Sequence, residues 1–517
     1  MPANLREIFT LAAITFFAAF AARPSYGQAG DVRGAVTEPN GAGRLDNFSG
    51  HPRIFVVSDI GNEPDDQMSL VRLLLYSNEI DVEGLVAATS TWQKAVTHPE
   101  TMRQIIAVYG QVQPNLLKHA TGWPTAVELD QKVGSGQSSY GMSAVGIGKT
   151  SSGSQLLVKA ADRDDPRPLW VAIWGGANTV AQALTDVRST RSPAELAKFV
   201  AKLRVYSISD QDDAGPWIRR EFPDLFYIVR PSPANGEEYY YATWTGISGD
   251  AYYRNGEGAD FSTVTNEWLE ANIRSKGPLG KQYPKFAFIM EGDTPSFLNL
   301  IDNGLASWWS PCWGGWGGRY VFRQPYGETH PIWTQGGDLF SRVTSQDTVI
   351  GVNGKTYVSD QATVWRWREA FQHDFAARMD WTIKPFAEAN HNPIVVVNGQ
   401  SGTAPIFIET VVGQPVVLDA SQSHDPDGHQ TLRYSWFQYG EAGAGTDRGL
   451  AAVNIVDTER SKVTITPTAT CRPMWIQTAN SRCPAEGVAH IIVSVTDNGS
   501  PSLTSYRRIV LHVRAAH

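Results

Sequence analysis

From Pro52 to about residue 300, short apolar runs alternate with amphipathic ones, and the alternation predicts a repeated strand-then-helix order. RIFVVSD reads as a strand. Asp65 to Tyr76 follows as a helix with Met68, Val71, Leu74 and Leu75 on one face, and VEGLVAATS is the next strand, completing a βαβ unit. The order recurs in PLWVAIW then NTVAQALTDV, in KLRVYSIS then WIRREF, and in KFAFIMEGD then SFLNLI. Such a series implies an α/β fold, a mostly parallel sheet with helices on both faces. The pattern changes over 319–390, where Val349 to Val358 predicts a hairpin around Asn353-Gly354 and Ala362 to Met379 a long amphipathic helix. After a Pro/Asn-rich break at 391 come short alternating strands in VGQPVVLDASQS, LRYSWFQY, SKVTITPT, AHIIVSVTDN and SYRRIVLHV, which predict a small all-β sandwich over 391–517.

The N-terminus has a different pattern. Arg6 precedes an apolar stretch from Ile8 to Ala22, and Tyr26-Gly27-Gln28-Ala29 offers small residues for cleavage, so 1–29 is expected to be a signal peptide and the mature protein secreted or periplasmic. The stretch is short for a membrane span, and no stable anchor is expected. Residues 30–51, Gly-rich and aperiodic, read as a linker before a body spanning 52–390.

Charge enters as a pattern rather than a total. A net charge of -8 argues against a protein that binds nucleic acid by neutralising phosphates. The acids, however, collect where strands end. RIFVVS exits into Asp59, Glu63, Asp65 and Asp66; LRVYSIS exits into Asp210, Asp212 and Asp213; KFAFIM exits into Glu291 and Asp293. In a parallel sheet those exits share one edge, where ligands bind. Many like charges in one cleft call for a hard divalent cation, and an oxygen-only donor set favours calcium. With 17 Trp, 18 Tyr and 20 Phe in the chain, aromatic platforms for sugar rings or bases are expected, and Trp92, Trp174, Trp217, Trp313 and Trp316 lie in or beside the strand-end loops. Of three cysteines, Cys471 and Cys483 are expected to pair in an oxidising compartment, leaving Cys312 as a structural thiol.

DIGNEPDDQMSLVRLLL resembles the aspartate signature D-x-D-P-G-x-D-D of nucleoside hydrolases. Together with WVAIWGGANTVAQAL, YSISDQDDAGPWIRREFPDLFYI, MEGDTPSFL, WGGWGGRY and LDASQSHDPDG, it is similar to a bacterial family of secreted cellulose-binding proteins with a nucleoside-hydrolase-like domain and a C-terminal immunoglobulin-like domain. The resemblance implies that Asp59, Asp66 and Asp293 contact calcium, that a main-chain carbonyl near Asn178 completes the coordination, and that Asp65 sits at the sugar end. Asn62, Trp92, Asn178, Trp217, Glu291, Trp313 and Trp316 are the further candidate substrate contacts. Equal spacing puts Gly61 where those hydrolases carry the aspartate that activates water, which leaves Glu63, Asp59, Asp210, Asp212 and Asp213 as the candidate bases. Two functions are therefore expected: metal-dependent hydrolysis of glycosidic or N-glycosidic bonds in plant or cell-wall saccharides, or retention of the cleft for binding polysaccharide such as cellulose without turnover.

Overall fold

The structure is a computed structural model that describes residues 46, 48–233, 239–248, 258–336, 344–428, 430–443, 449–472 and 483–516. The expected signal peptide and most of the expected linker lie outside the described residues. Several linker positions are part of the fold: Asp46 pairs with Arg204 at 2.7 Å, Phe48 packs on Trp308, and the His51 carbonyl accepts from Arg167 at 2.7 Å.

The body is built on one sheet of eight strands. These are β1 (Arg53–Ser58), β2 (Asp81–Ala87), β3 (Val133–Ser135), β4 (Leu169–Ile173), β5 (Leu203–Ser207), β6 (Phe226–Ile228), β7 (Val321–Arg323) and β8 (Ile332–Thr334), in the spatial order β3-β2-β1-β4-β5-β6-β8-β7. All neighbouring pairs are parallel except β7 with β8. Strand β1 is buried throughout: Ile54 and Val56 join the core on one face, Phe55 and Val57 the core on the other. Covering the sheet are α1 (Pro64–Leu74), α2 (Pro99–Leu116), α3 (Ala126–Asp130), α4 (Ser152–Asp162), α5 (Asn178–Thr190), α6 (Pro193–Lys202) and α7 (Ala214–Glu221). The chain leaves β1 toward β2 and β3, then returns to the other side of β1 as β4. The exits of β1 and β4 therefore flank the crevice that this reversal opens.

Two expected elements differ. KFAFIM is not a strand: the sheet continues from β5 into β6 and β8, and this segment crosses the helical layer with Ile289 and Met290 buried and Phe288 56% exposed. The helix expected over Ala362 to Met379 divides into Ala362–Trp365 and Arg368–Asp380. The longer piece is buried nearly all round, with Arg368, Gln372, Asp374 and Arg378 inside; Tyr76 donates to Asp374 at 2.7 Å and Arg378 pairs with Asp374 at 3.0 Å. The hairpin forms as expected from β9 (Asp347–Ile350) and β10 (Thr356–Ser359).

The C-terminal region is all-β. A five-stranded sheet, in which Ile406–Val411 pairs parallel with Thr504–Arg514 and Glu486–Thr496 lies between Thr504–Arg514 and Arg433–Gln438, faces a three-stranded one. Trp436, Val493 and Leu511 fill the core between them. Cys471 and Cys483 form a disulfide, and Cys312 is a buried thiol outside it, 3.1 Å from the Ser310 hydroxyl. No helix among the described residues is long and apolar enough to cross a membrane.

The sandwich is fused to the body. Backbone N–H groups of Tyr506 and Arg508 donate to the carbonyls of Asn303 and Gly304 at 2.9 and 3.1 Å. At Gly304, with φ +90°, a Cβ would stand 1.8 Å from the Tyr506 carbonyl oxygen. The Arg508 guanidinium donates to the carbonyls of Leu305 and Gly314 at 2.5 and 2.8 Å. Trp313 and Trp316, expected as open platforms, are instead buried in this junction. Trp313 meets His490 edge-on at 5.0 Å, and Trp316 lies between Phe371 and Tyr506. Local glycines leave an indole uncovered only if no second domain packs there. Trp316→Ala is expected to cost about 3–5 kcal/mol, seen as a lower urea midpoint for body and sandwich together.

Candidate functional site

Strand β1 ends at Ser58, whose hydroxyl donates to Asp66 at 2.5 Å and accepts from the Ile60 N–H at 3.1 Å. This folds the β1–α1 turn back on itself. Pro64 starts α1 in the first helical position, so Asp65 and Asp66 fall in the first turn, where the helix dipole favours negative charge. Asp293 comes from the loop before the short helix Pro295–Leu298. One oxygen from each of Asp65, Asp66 and Asp293 lies within 4.8 Å of the others, and all three residues are buried.

Electrostatics sets this group apart. Burial, then the charges of Asp59 and Asp65, hold the Asp66 carboxyl well above the usual range. Burial, then Asp66, Asp65 and Asp59, does the same to Asp293. Asp65 is pushed up to about 8 by burial and by Glu63 and Asp59, and Asp59 to about 6 by burial. Among the described residues no lysine or arginine pairs with these acids. Asp293 Oδ2 is buried without a hydrogen-bond partner. A compact, oxygen-only set with an orphaned carboxylate oxygen fits a hard divalent cation. The triad replaces Asp59 by Asp65 in the expected ligand set, with Asp59 the adjoining charge.

The other expected residues divide sharply. Glu63 is half-buried beside Asp59, its carboxyl raised by burial and by that charge. Asn62 is exposed on the same turn, and Trp92, 48% exposed, stands on the β2 exit. That exit is tied to the site: Gln93 donates to the Asp59 carbonyl at 3.2 Å. Asn178 opens α5 and is fully buried; its N–H donates to Asp212 at 3.0 Å and its amide to Ser139 O at 2.8 Å, with Oδ1 unpartnered. Asp212 also accepts from Ala214 N–H at 2.9 Å and is pushed up to about 7, chiefly by burial. It joins the exits of β4 and β5, and its bonded oxygens are committed to the backbone.

Four expected roles are corrected. Asp210 is gripped by Arg219 at 2.8 and 3.0 Å, and Arg219 also pairs with Glu328, so this carboxylate is neutralised and cannot serve as a free base. Asp213 is exposed and accepts from Met142 N–H at 2.7 Å, pinning a neighbouring loop. Trp217 packs on Phe222 and Arg188; Arg188 is ten residues along α5 from Asn178, about 15 Å from the strand ends. Glu291 is fully buried, paired with Arg72 at 2.5 Å and accepting from Tyr283 at 2.5 Å. Its φ of 54° is a left-handed conformation unusual for this side chain, and these partners hold it there.

The sequence reading missed the residues that aim the acids: Ser58, Arg72, and Ser296, whose hydroxyl accepts from Trp174 Nε1 at 2.9 Å and donates to the Asp293 carbonyl at 2.6 Å. Only the regular alternation of β1 and α1 could have signalled Arg72, as a charge on a buried helix face. Gly61 has φ +104°, and a Cβ there would stand 2.5 Å from His98 Cδ2. The position is shaped for glycine, so the water-activating aspartate of true nucleoside hydrolases does not fit this turn.

Comparison with known proteins agrees with this architecture. The family described as "Cellulose-binding Sde182, nucleoside hydrolase-like domain" matches residues 53–320, and "Cellulose-binding protein Sde0182, C-terminal domain" matches 415–513. Among solved structures, a nucleoside hydrolase-related hypothetical protein from Saccharophagus degradans, described as associated with carbohydrate metabolism, is 36% identical. That match has a TM-score of 0.71 and covers 90% of this chain and 100% of the other. The effector protein XOO4466 matches at 11% identity over 66% of this chain and 96% of its own, with a TM-score of 0.31, too low to carry an argument. Among curated proteins none matches.

Two outcomes follow from the geometry. Because the folded-state pKa values of Asp59 and Asp65 are raised, the contribution of these two acids to the stability of the metal-free protein should be fully present below about pH 4, the range where unfolded carboxyls protonate. Stability should then fall as pH rises toward 8; Asp293→Asn, which removes one repelling charge, should raise the melting temperature of EDTA-treated protein at pH 7.5. Gly61→Asp should cost about 1–3 kcal/mol from backbone strain alone, with His98→Ala in the same chain relieving the steric part, as read by thermal melts.

Proposed function

Since the chain belongs to the Sde182 cellulose-binding family with its nucleoside hydrolase-like domain, we propose that it is a secreted, calcium-dependent hydrolase of glycosidic or N-glycosidic bonds in saccharides of plant or cell-wall origin. The observation that carries the proposal is the orphaned Asp293 oxygen within a buried triad of carboxylates. Asp65, Asp66 and Asp293 would hold the ion, with Asp59 beside them. When bound, calcium would balance the clustered charge and supply Lewis acidity toward a sugar hydroxyl or water. The protein's own residues do the rest. Glu63, half-buried and within the electrostatic reach of Asp59, accepts a proton from the attacking water. Asn62 donates to sugar hydroxyls, and Trp92 offers its exposed face to a sugar ring at the rim. The carboxylates around the scissile carbon stabilise developing positive charge. The expected signal segment supports export.

A second reading, binding of polysaccharide without turnover, is favoured by one observation: His98 fills the space an aspartate at 61 would need. The two readings are separated by incubating the mature protein with nitrophenyl furanosides, nucleosides and plant glycans, with and without EDTA. Glu63→Gln is expected to lower kcat by about 10²–10⁴ with no loss of melting temperature, and Asp66→Ala or EDTA to abolish release. Release indifferent to EDTA and to Asp66 would defeat the metal-site mechanism; no release with retained pull-down on cellulose would establish the binding reading.

A further inference from the structure

Where the body meets the sandwich, two histidine rings touch through their nitrogens. His119, just past the end of α2, belongs to the body, and His391 begins the sandwich region. His119 Nδ1 and His391 Nε2 stand 2.9 Å apart. The outer nitrogens both face acceptors: His391 Nδ1 lies 2.7 Å from Asp427 Oδ1, and His119 Nε2 lies 2.9 Å from the Lys384 carbonyl. A carboxylate and a carbonyl can only accept, so each outer nitrogen must carry a hydrogen, and the contact between the rings needs one more and has no room for a second. Three hydrogens on four ring nitrogens give the pair a single positive charge.

The surroundings favour that charge on His391. Its ring stacks on Phe386 at 3.9 Å and on Trp381 at 5.1 Å, faces that attract a cation, and Asp427 Oδ2 also accepts from its backbone N–H at 2.8 Å. His119 is kept neutral: burial lowers its pKa, and the charges of His391 and Lys118 add to this against the opposing Lys384 carbonyl and Asp427. The other charged groups around the pair are Lys384, held by Asp380 at 2.6 Å; Arg378, over the Trp381 ring at 5.1 Å; Asp425, which accepts from the Asp427 N–H, with His424 beside it; and Glu388, exposed on the turn that carries Phe386. Asn115 of α2 donates to the carbonyls of Trp381 and Lys384 at 2.8 and 2.7 Å, a tie without a titrating group, while Asp427 keeps His391 with the sandwich. The contact between His119 and His391 is therefore where this seam can part.

We infer that Asp427, His391 and His119 form an acid-released latch between sandwich and body, in which a fourth proton sets N–H against N–H at the contact of the two rings and parts them. The latch depends neither on the acid cluster nor on catalysis. Because the folded-state pKa of His119 is lowered, the contact's contribution to stability is fully present above about pH 6.5, the ordinary histidine range, and is lost as pH falls below it. Hydrogen exchange of the full mature chain at pH 7.0 and pH 5.0, corrected for intrinsic exchange, tests the latch. In the wild type, amides of 386–394 should lose about tenfold in protection at the lower pH, within the limit of one proton linked to opening, while the sandwich strand Lys462–Ala469 keeps its protection. His119→Gln, which cannot take up the fourth proton, should lose this pH dependence, and Asp427→Asn should weaken protection of 386–394 already at pH 7.0. Wild type and His119→Gln share the acid cluster, so the difference between them isolates the latch. The inference would be overturned by wild-type protection that is unchanged at pH 5.0, by a loss equally large in His119→Gln or spread equally over Lys462–Ala469, or by Asp427→Asn protected as the wild type is at pH 7.0.

Discussion

The ion pair between Arg72 and Glu291 is the contact on which the site's construction turns. Arg72 closes α1, and Glu291 stands at the head of the loop that carries Asp293. Both are fully buried, where removing one partner of such a pair leaves an uncompensated charge and costs about 3–5 kcal/mol. The pair fixes Glu291 in its left-handed conformation, and the next turn then brings Asp293 over the start of α1. Thr294 donating to Ser69 at 3.0 Å locks the register. Arg72 also donates to the Phe371 carbonyl at 3.1 Å, so one side chain aligns the acid-bearing helix, the acid-bearing loop and the buried helix beneath the sandwich.

That arrangement explains why the acids along the sheet edge have unlike fates. Asp210 and Glu291 are each neutralised by an arginine, and Asp212 is spent on backbone N–H groups. Asp59, Asp65, Asp66 and Asp293 have like charges as their nearest electrostatic neighbours. Structural acids are matched inside the protein. The remaining four have no such match among the described residues, and it is this imbalance, rather than the number of acids, that marks the candidate site.

Much of this was legible in the chain. The strand-helix order predicted the parallel sheet, and the positions of Asp59, Asp65 and Asp66 followed from the end of an apolar run. What was not legible depends on pairing across long sequence distances. Nothing near Asp210 reveals Arg219 as its partner rather than a solvent-facing neighbour, and nothing near Glu291 points to Arg72, 219 positions away. KFAFIM has the composition of a strand, but a strand also needs a free sheet edge, and β6 and β8 had taken it. Trp313 and Trp316 misled for the same reason: their glycine neighbours describe local cover, whereas the sandwich supplies the cover from a distance.

Gly304 shows what this dependence means for the evolution of the chain. Its backbone meets that of Tyr506 with no room for a side chain, and the sandwich N–H groups of Tyr506 and Arg508 donate to the body carbonyls of Asn303 and Gly304 across the boundary. Sandwich domains elsewhere can be shuffled as interchangeable cassettes because their linkers are loose. Here the seam is a keyed joint. A transplanted sandwich would have to bring its own counterpart of the Tyr506 and Arg508 backbone to match this glycine, so body and sandwich are expected to be inherited, lost and diversified as one unit.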